Sequence, residues 1–411
     1  MKVAHINHSD SHGGAARAAY RIHRALRQSG VDSVMWVAHP ALDDWTVEGP
    51  TDRWQKLRAH LTFPLSALLN RLPAGSVPNS HSVNVIPSRW AEKSNTSPVD
   101  IVHLHWLGSD TASVADLGRI RKPIVWTLHD MWAFCGAEHY PTHRRWLEGY
   151  SRPDGNKLWP VDFDAWTWKR KHRAWKKPMH IVTPSHWLAD CVRQSALMGD
   201  WPVSVVPNGV DTEVWTPVNR AVARSILGLP GNCPILAFGA MGGGKDPRKG
   251  FDLLQNALTL LRGRIEGLHL IVFGQTTPRN PPDPGFPVYY TGYLHDELSL
   301  RVLYSAADAL VIPSRQDNLP NTGVEAMACG IPLVAFDTGG LPDLVTHERT
   351  GYLAHPFEAE DLAKGIAWIL DSATRMANLG AEARNQAIER FAYPRIAAQY
   401  RKIYAQLVDS R

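Results

Sequence analysis

The sequence predicts an α/β protein of two doubly wound domains, each a parallel sheet with helices on both faces. Short apolar strands alternate with helices along the chain, the pattern of parallel strands joined by crossover helices. The alternation runs to residue 206, is interrupted by Pro207-Asn208-Gly209, and then begins again. With 411 residues, of which 44% are hydrophobic, the chain is long enough to build two cores.

The first series, residues 1–206, opens with a strand, a turn that contains glycine, and a helix, so it begins as a βαβ unit. Residues 39–98 are less regular, and we predict one amphipathic helix there. The later strands are short, apolar and separated by polar loops. The predicted strands are 3–6, 31–37, 101–104, 123–128, 181–183 and 203–206, and the predicted helices are 15–28, 54–72 and 185–195.

The second series, residues 207–390, repeats the alternation after a connection at 211–217. A proline-rich loop, 276–287, separates its second and third strands. A third segment, 391–411, holds a last helix at 394–407. The predicted strands are 235–239, 268–273, 288–291 and 309–312, with one more after a helix that starts near Thr322; the other predicted helices are 251–261, 296–305, 359–370 and 373–390.

Cysteine usage and hydropathy indicate the expected compartment. The four cysteines, at positions 135, 191, 233 and 329, show no CxxC spacing, which fits a reducing environment. The N-terminus lacks the apolar region of a signal peptide, and no run approaches 18 apolar residues. We therefore expect a cytoplasmic protein, either free or peripheral on the inner face of the plasma membrane.

Polar residues gather after the strand predicted at 309–312. Asp317, Asn318 and Asn321 lie in the following loop, and Glu325 comes eight positions after Asp317 inside the next helix. Ligands of open parallel sheets bind at this end of the strands, beside helix N-termini. Two carboxylates, two amides and a helix start suit a ligand that is polyhydroxylated and anionic, such as a sugar nucleotide. The acids could instead be a general acid and base, or one capping carboxylate and one surface glutamate.

A glycine-rich basic loop precedes the helix at 251–261. Three glycines at 242–244 are followed by Lys245, Arg248 and Lys249. Cations at a helix N-terminus oppose the helix dipole unless an anion lies between them, so the loop indicates a diphosphate site. The spacing is not that of a P-loop. The alternative is a solvated basic turn.

Two features at strand ends of the first series could bind a ligand. Gly13 and Gly14 lie at a strand-to-helix turn, where the backbone can approach a phosphate or can simply turn tightly. His129 follows a second apolar strand, and His103 and His105 end its neighbour. Each of these histidines could equally be structural. The spacing of Cys135, His139 and His143 suggests zinc only weakly, because three soft ligands are too few and Pro141 interrupts any helix, so we predict no metal site.

The net charge of +5 belongs to one segment, residues 142–177, which alone carries +6. Tryptophans and cations alternate there. The segment could be a crossover helix with a solvated basic face, or it could lie on an anionic membrane. Stacking on nucleic-acid bases is a third alternative, and we expect no nucleic-acid partner. The tryptophans that would contact a membrane, together with neighbouring Lys and Arg, are Trp146, Trp159, Trp166, Trp168 and Trp175.

Four segments resemble the retaining glycosyltransferases of family 4, which have the GT-B fold, over essentially the whole chain. The strongest is SRQDNLPNTGVEAMACGIPLVAFDTGGLPDLV at 314–345, followed by RKG at 248–250, PNGVD at 207–211 and GGAARAAYRIHRAL near the start. The DNLPN loop and the HDMWAF stretch resemble the bacterial branch that builds exopolysaccharides and colanic-acid-like chains.

This resemblance implies two Rossmann-like domains that face each other across a cleft, with the last helix returning to the first domain. The second domain would hold a nucleotide-sugar donor, GDP- or UDP-linked, and the first a glycan or lipid-linked oligosaccharide acceptor. No cofactor or metal would be needed. Lys249 matches the lysine that contacts the donor diphosphate. Asp317 and Glu325 match the two acids of the E-x7-E motif, which hold the sugar hydroxyls and the ribose.

The resemblance also assigns the remaining positions of the site. His129 matches the histidine near the transferred sugar, and Gly14 the glycine loop near the diphosphate. Where the family usually has glutamate, this chain has Asp317, and the family's arginine before the lysine is not aligned; Met241 or a neighbour stands near its place. Backbone N–H groups would hold sugar and phosphate at Asn318, Leu319, Asn321 and Thr322.

Two other functions remain open on the sequence. A phosphorylase or an epimerase of the same fold would also bind sugar and phosphate. A non-catalytic protein could bind polysaccharide or membrane through residues 142–177. The lysine and the two acids discriminate between these functions, because a pure binding protein does not need them.

Overall fold

A computed structural model describes residues 1–51, 53, 62, 64–67, 81–151, 162–239 and 246–409. The chain forms two compact units, of which the first joins Met1–Val206 to the chain from Ala397 onwards and the second is Pro207–Ile396. The return to the first unit therefore begins at Ala397 rather than at 391. Most of the helix predicted at 54–72, the glycines at 242–244, Met241, Lys245 and Trp159 lie outside the described residues.

The first unit contains a seven-stranded, entirely parallel sheet. Its strand order is β3-β2-β1-β4-β5-β6-β7, so the order reverses between β1 and β4. Every residue of β4 and β5 is buried, as the short apolar runs predicted. The strands are β1 Lys2–Ser9, β2 Asp32–His39, β3 Val47–Glu48, β4 Ile101–Leu104, β5 Ile124–Thr127, β6 His180–Thr183 and β7 Val203–Val205, and the helices are α1 Gly14–Gln28, α2 Trp90–Thr96, α3 Val114–Gly118, α4 Phe163–Ala174 and α5 His186–Gln194.

The second unit contains a six-stranded parallel sheet in the order β10-β9-β8-β11-β12-β13. Alternate residues of its strands enter two separate apolar cores, so helices cover both faces of this sheet. The order reverses between β8 and β11. The strands are β8 Ile235–Gly239, β9 His269–Phe273, β10 Val288–Gly292, β11 Ala309–Ile312, β12 Leu333–Phe336 and β13 Gly351–Ala354, and the helices are α6 Arg220–Ile226, α7 Phe251–Leu261, α8 Glu297–Ala306, α9 Asn321–Ala328, α10 Ala359–Leu370 and α11 Ala373–Arg390; α12, Tyr393–Asp409, ends the described chain.

The sequence missed five short elements: β3, β13, α2, α3 and α6. The two strands have two and four residues, and the three helices have seven, five and seven. The three helices and β3 are too short to show a helical or strand period above background. β13 begins with Gly351, a residue type that is depleted in strands. β1 also extends to Ser9, beyond the predicted end at residue 6, because the polar residues Asn7 and Ser9 are buried as part of the strand.

The basic segment is a crossover element of the first unit. α4 lies between β5 and β6 in the chain, and its Lys171 is fully buried. The Lys171 Nζ donates to the carbonyl oxygens of Trp132, Cys135 (3.1 Å) and Gly136 (2.7 Å) and lies 3.8 Å from the centre of the Trp132 ring. Burial lowers the pKa of Lys171 to about 7. The buried side chain of Lys171 thus links α4 to the loop after β5 through hydrogen bonds.

The four tryptophans of this segment that the structure describes do not form the exposed row that a membrane contact needs. Trp146 and Trp175 belong to the apolar core, so their predicted membrane contact is wrong. Trp168 is partly buried, and only Trp166 among the four described is exposed, with Arg170 stacked on its ring. The indoles pack inward because the crossover helix must cover the sheet. No helix in the described part of the chain is long and apolar enough to cross a bilayer.

Candidate functional site

The site of the second unit forms where its strand order reverses. β8 and β11 are hydrogen-bonded neighbours, and the loops after them carry Lys249 and Asp317. The Lys249 Nζ lies 2.6 Å from the Asp317 Oδ2, although the two residues are 68 positions apart in sequence. Ligands of doubly wound sheets bind in the crevice at this switch point. The topology therefore brings the predicted lysine and the first predicted acid together at the expected edge.

Gly250 allows the loop that carries Lys249 to pack directly against the backbone of the loop that carries Asp317. Gly250 has φ +65°, and a Cβ built there would lie 1.8 Å from the carbonyl oxygen of Pro313. In addition, the Arg315 N–H donates to the carbonyl oxygen of Arg248 at 2.7 Å. The backbone contact across the switch point thus requires a residue without a side chain immediately after Lys249.

We expect Gly250→Ala to displace the Lys249 loop and weaken ligand binding at least tenfold, because the new methyl group cannot occupy the position of a carbonyl oxygen. Gly228→Ala is the matched control: Gly228 has φ +64°, and a Cβ added there would meet nothing within 4 Å. The control carries only the left-handed backbone cost of about 1–2 kcal/mol. Equal loss of ligand affinity and of unfolding free energy in both variants, measured by titration and urea denaturation, would contradict this account.

Asp317 is held by contacts on several sides. Its carboxylate accepts from the Ser314 hydroxyl at 3.2 Å and from the backbone N–H of Asn318 at 3.1 Å, besides its ion pair with Lys249. Its carbonyl oxygen accepts from the Gly340 N–H at 2.9 Å, and a Cβ at Gly339 would lie 2.5 Å from that oxygen. The shorter side chain of aspartate therefore sits in a preformed position, and its charge is matched by Lys249.

The helix start that follows Asp317 is positioned by Asn208. The Asn208 Nδ2 donates to the carbonyl oxygen of Leu319 at 2.9 Å and to Asn321 Oδ1 at 3.1 Å. α9 begins at Asn321, and the Thr322 N–H has no acceptor within the described part of the chain. In the sequence, Pro207-Asn208-Gly209 indicated only a break between the two series of strands and helices. The match of this stretch to the family motif was the only signal of its role.

Glu325 lies on α9 with a different set of contacts. Its side chain is buried, and its Oε2 accepts from the Tyr304 hydroxyl of α8 at 2.9 Å. The prediction that a buried Glu325 would have a partner is confirmed. Asp317 is paired with a cation, whereas Glu325 accepts from a neutral hydroxyl, so the two acids lie in different electrostatic environments. Tyr304 was not predicted, since nothing in its sequence context distinguishes it from a core residue.

Arg248 contacts a carboxylate of its own turn. The guanidinium reaches both oxygens of Asp246, with Nε–Oδ1 at 3.1 Å and a terminal nitrogen at 2.7 Å from Oδ2. Burial opposes ionisation of Asp246, but the hydrogen bonds and charge of Arg248 outweigh it and lower the pKa of that carboxyl. Lys249, rather than Arg248, is therefore the cation directed at the switch point among the described residues of this loop.

In the first unit, the loop after β1 turns at a glycine. Gly13 is the N-cap of α1 and has φ +90° and ψ 169°, a conformation that is essentially restricted to glycine. Gly14 is the first residue of the helix and is exposed. Both interpretations of this pair require such a turn, and its contact with the donor diphosphate stays a prediction.

The histidines of the first unit form a connected chain. The His5 Nδ1 lies 2.9 Å from the His105 Nε2, and the His105 Nδ1 lies 3.3 Å from the His129 Nε2. His103 contacts Thr127 at 2.7 Å and the Tyr404 hydroxyl of α12 at 2.6 Å. Burial lowers the pKa of His129 to about 4 and places the pKa values of the other three well below the usual range. All four rings are neutral near pH 7.

The hydrogen-bond chain determines which nitrogen of His129 carries its proton. If His129 donates to His105 and His105 to His5, the His5 Nε2 must carry a buried N–H that has no acceptor among the described residues. If His5 instead donates to His105 and His105 to His129, the His5 Nε2 carries only a lone pair. A buried acceptor without a partner costs less free energy than a buried donor without one. We assign the second direction. His129 then carries its proton on Nδ1 and can donate a hydrogen bond, but its low pKa makes it a poor base.

The neighbouring Asp130 is a structural centre. Its carboxylate accepts from the Trp106 indole at 2.9 Å, the Trp132 N–H at 2.9 Å and the His139 Nδ1 at 2.5 Å. The second ring nitrogen of His139 lies 2.8 Å from the Ser82 hydroxyl. Both nitrogens of His139 are thus engaged, which removes it from any zinc site with Cys135. These hydrogen bonds fix the loop that carries His129.

Two parallel-sheet units with polar loops at their switch points define the class, and solved structures agree. Sucrose-phosphate synthase from Thermosynechococcus elongatus superposes with a TM-score of 0.68 at 19% identity over 100% of both chains. HepE from Anabaena, solved with UDP-glucose, gives 0.67 at 18% identity over 99% of this chain and 100% of that one. The fold is GT-B, as the resemblance implied.

Sequence comparison gives the family of each part. Residues 12–214 match Glycosyltransferase Family 4, and residues 234–372 match Glycosyl transferases group 1. D-inositol 3-phosphate glycosyltransferase from Saccharomonospora viridis is 33% identical over 219 residues, which cover 50% of this chain and 50% of that protein. The match thus spans about half the length of such curated relatives. Each of the two segments thus matches a glycosyltransferase family, and the exopolysaccharide branch stays a prediction.

Proposed function

We propose that this protein transfers a sugar, with retention of anomeric configuration, from a nucleoside diphosphate sugar to a glycan or lipid-linked acceptor in bacterial surface polysaccharide synthesis. The observation that carries the proposal is the Lys249–Asp317 pair at the switch point of the second unit, beside the start of α9. The families of the two matched segments support glycosyl transfer. HepE was solved with UDP-glucose, which supports UDP among the two expected donor bases, UDP and GDP.

Each residue contributes a distinct step. Lys249 stabilises the negative charge that develops on the departing diphosphate, and the N–H groups at the start of α9 add their dipole there. Asp317 accepts hydrogen bonds from sugar hydroxyls once Lys249 turns towards phosphate. Glu325 holds the ribose. His129, with its proton on Nδ1, donates to an oxygen of the transferred sugar. No Asp-x-Asp motif stands at a strand end, so we propose that these cations and dipoles act without a metal at the diphosphate.

A ligand panel tests the donor. UDP, GDP, ADP and their sugars are each added to the full chain, and thermal unfolding is recorded. A ligand at about 100 times its dissociation constant adds roughly 2.7 kcal/mol to the unfolding free energy. We expect one nucleoside diphosphate and its sugar to stabilise the protein. Glu325→Gln should lose this stabilisation, whereas Glu389→Gln, an exposed change on α11, should keep it.

Turnover distinguishes the remaining functions. With the stabilising donor and a polysaccharide or lipid-linked acceptor, NMR of the product should show the anomeric configuration of the donor. Release of sugar phosphate from a polymer and inorganic phosphate, with no nucleotide, would identify a phosphorylase instead. Binding of polysaccharide or anionic vesicles without any donor turnover would identify a non-catalytic protein. Either result would overturn the proposal.

A further inference from the structure

A second group of ligating side chains lies in the first unit, outside the residues assigned to the donor or to His129. Glu138, His143 and Asp164 each offer one atom, and these atoms all lie within 4.8 Å of one another. The His143 Nε2 is 3.4 Å from the Glu138 Oε1, and the His81 Nε2 is 3.8 Å from the Asp164 Oδ1. Two segments of the chain therefore direct one imidazole and two carboxylates towards one point, and His81 from a third segment lies beside Asp164.

The backbone around this group is well defined. His81 and Glu138 form an isolated antiparallel bridge, which places their side chains next to each other. Asp164 lies in the first turn of α4, and its Oδ1 accepts from the Ala137 N–H at 3.3 Å. Tyr150 donates its hydroxyl to the Glu138 Oε1. These contacts orient the ligand atoms in the way that hydrogen bonds outside a metal site usually orient its ligands.

One atom of the group points to a missing ligand. Glu138 is only 4% exposed, and its Oε2 has no hydrogen-bond partner among the described residues. Asp164, 2% exposed, adds a second carboxylate close by. Buried carboxylates need a cation or a donor, yet the nearby Lys171 Nζ is already directed at three carbonyl oxygens. A divalent ion bound between the two carboxyl groups would give the unpaired oxygen a partner.

We propose that Glu138, His143 and Asp164 bind a divalent transition-metal ion, with Zn²⁺ the best match. One imidazole and two carboxylates are ligands that Zn²⁺ accepts. Zinc bonds of about 2.0–2.1 Å place neighbouring ligand atoms roughly 3.3 Å apart, close to the 3.4 Å between the His143 Nε2 and the Glu138 Oε1. With three protein ligands, the ion completes its coordination with a water molecule. It braces the chain that follows His129 and Asp130.

This proposal uses a different set from the Cys135, His139 and His143 spacing considered in the sequence. Only His143 is shared. His81 and Asp164 are far from Glu138 in sequence, so spacing could not have revealed the group. The site is also separate from the proposed donor chemistry, since none of its residues belongs to the second unit. Loss of the metal would therefore leave nucleotide binding by the second unit as an independent measurement.

Metal content tests the proposal directly. The untagged full chain is purified without added metal, and its metals are measured by mass spectrometry before and after treatment with a chelator. We expect about one zinc per chain, and chelation should lower the thermal midpoint by about 5–10 °C, with recovery when Zn²⁺ is added. A content near zero, together with no thermal shift on addition of Zn²⁺ or Mn²⁺, would overturn the proposal.

Variants separate a built site from surface binding. Glu138→Gln and His143→Ala should each lose the metal, and Co²⁺ bound to the wild type should give a tetrahedral absorption spectrum that the variants lack. His172→Ala is the control, because His172 is exposed on α4 and outside the group. If Glu138→Gln does not fold, the half-buried His143 still provides the test. Equal metal content in wild type and both variants would show that the ion binds elsewhere.

Discussion

Replacing Lys249 with alanine is expected to reduce sugar transfer by about 10²–10³-fold while leaving the fold intact. Among the described residues, Lys249 is the cation directed at the switch point. Removing one preorganised group that stabilises a developing anion typically lowers the rate by about 10²–10³-fold. Stability should change little. The side chains of Lys249 and Asp317 keep 28% and 12% exposure, and a partly exposed ion pair contributes at most about 1 kcal/mol. Initial rates with saturating donor and a urea denaturation curve measure the two effects.

Lys364→Ala provides the matched control for this change. Lys364 is an exposed lysine on α10 in the same unit, so its removal alters net charge equally. Asp317→Asn adds a second comparison, because it frees Lys249 while removing an acceptor for sugar hydroxyls. It should weaken the sugar nucleotide more than the free nucleoside diphosphate. Transfer at the wild-type rate by Lys249→Ala would refute the assigned role of the lysine.

The free energy of unfolding of the first unit should fall steeply as the pH is lowered from 6.5 towards 5. His5, His103 and His105 are at most 2% exposed, and burial holds their pKa values well below the usual range. In the unfolded chain they bind protons near pH 6.5, whereas in the folded unit they stay neutral. The unfolded state therefore binds more protons below pH 6.5, and the free energy of unfolding decreases as the pH falls.

The size of this effect is comparable with the stability of a whole domain. By pH 5 each of the three histidines costs about 2 kcal/mol, against a typical total of 5–15 kcal/mol. Urea denaturation at pH 7.5, 6.5 and 5, followed by tryptophan fluorescence, measures it. All tryptophans except Trp215 and Trp368 belong to residues 1–206, so the signal reports mainly the first unit.

A non-titrating substitution identifies the source of the pH dependence. His105→Gln should reduce the slope of unfolding free energy against pH by about one proton, although it also lowers stability at pH 7.5. His172→Gln, at an exposed position, should leave the slope unchanged. Most carboxyl groups titrate below pH 5. Glu138 is an exception, because burial raises its pKa to about 8, and it opposes the histidine effect by at most one proton. A stability that is constant from pH 7.5 to 5 would show that the buried rings do not govern acid unfolding.

The sequence was sufficient for the architecture and for the candidate residues Lys249 and Asp317, which the structure brings together. Apolar runs separated by turns define the parallel strands β11 and β5, which end at Ile312 and Thr127, shortly before Asp317 and His129. Glu325 followed from its spacing within the same motif. The short elements α3, of five residues, and β3, of two, were not predicted, because such short runs show no measurable helical or strand period.

Contacts between distant segments could not be predicted from the sequence. Spacing alone did not show that Asn208 holds the start of α9 or that Tyr304 donates to Glu325. The basic segment is the clearest case, since alternating tryptophans and cations suggested a membrane contact. In the folded unit Trp146 and Trp175 enter the core and Lys171 is inserted among carbonyl oxygens.

The sequence by itself determined the two-domain α/β fold, the loop at 313–321 and the residue types that we propose bind a sugar nucleotide. Local periodicity and motif spacing carry that information. Only the tertiary structure decided the partners: Lys249 with Asp317, His105 between His5 and His129, and His81 with Asp164. The physical reason is that strand order in a doubly wound sheet sets which loops become neighbours. That order depends on the packing of the whole chain rather than on any single segment.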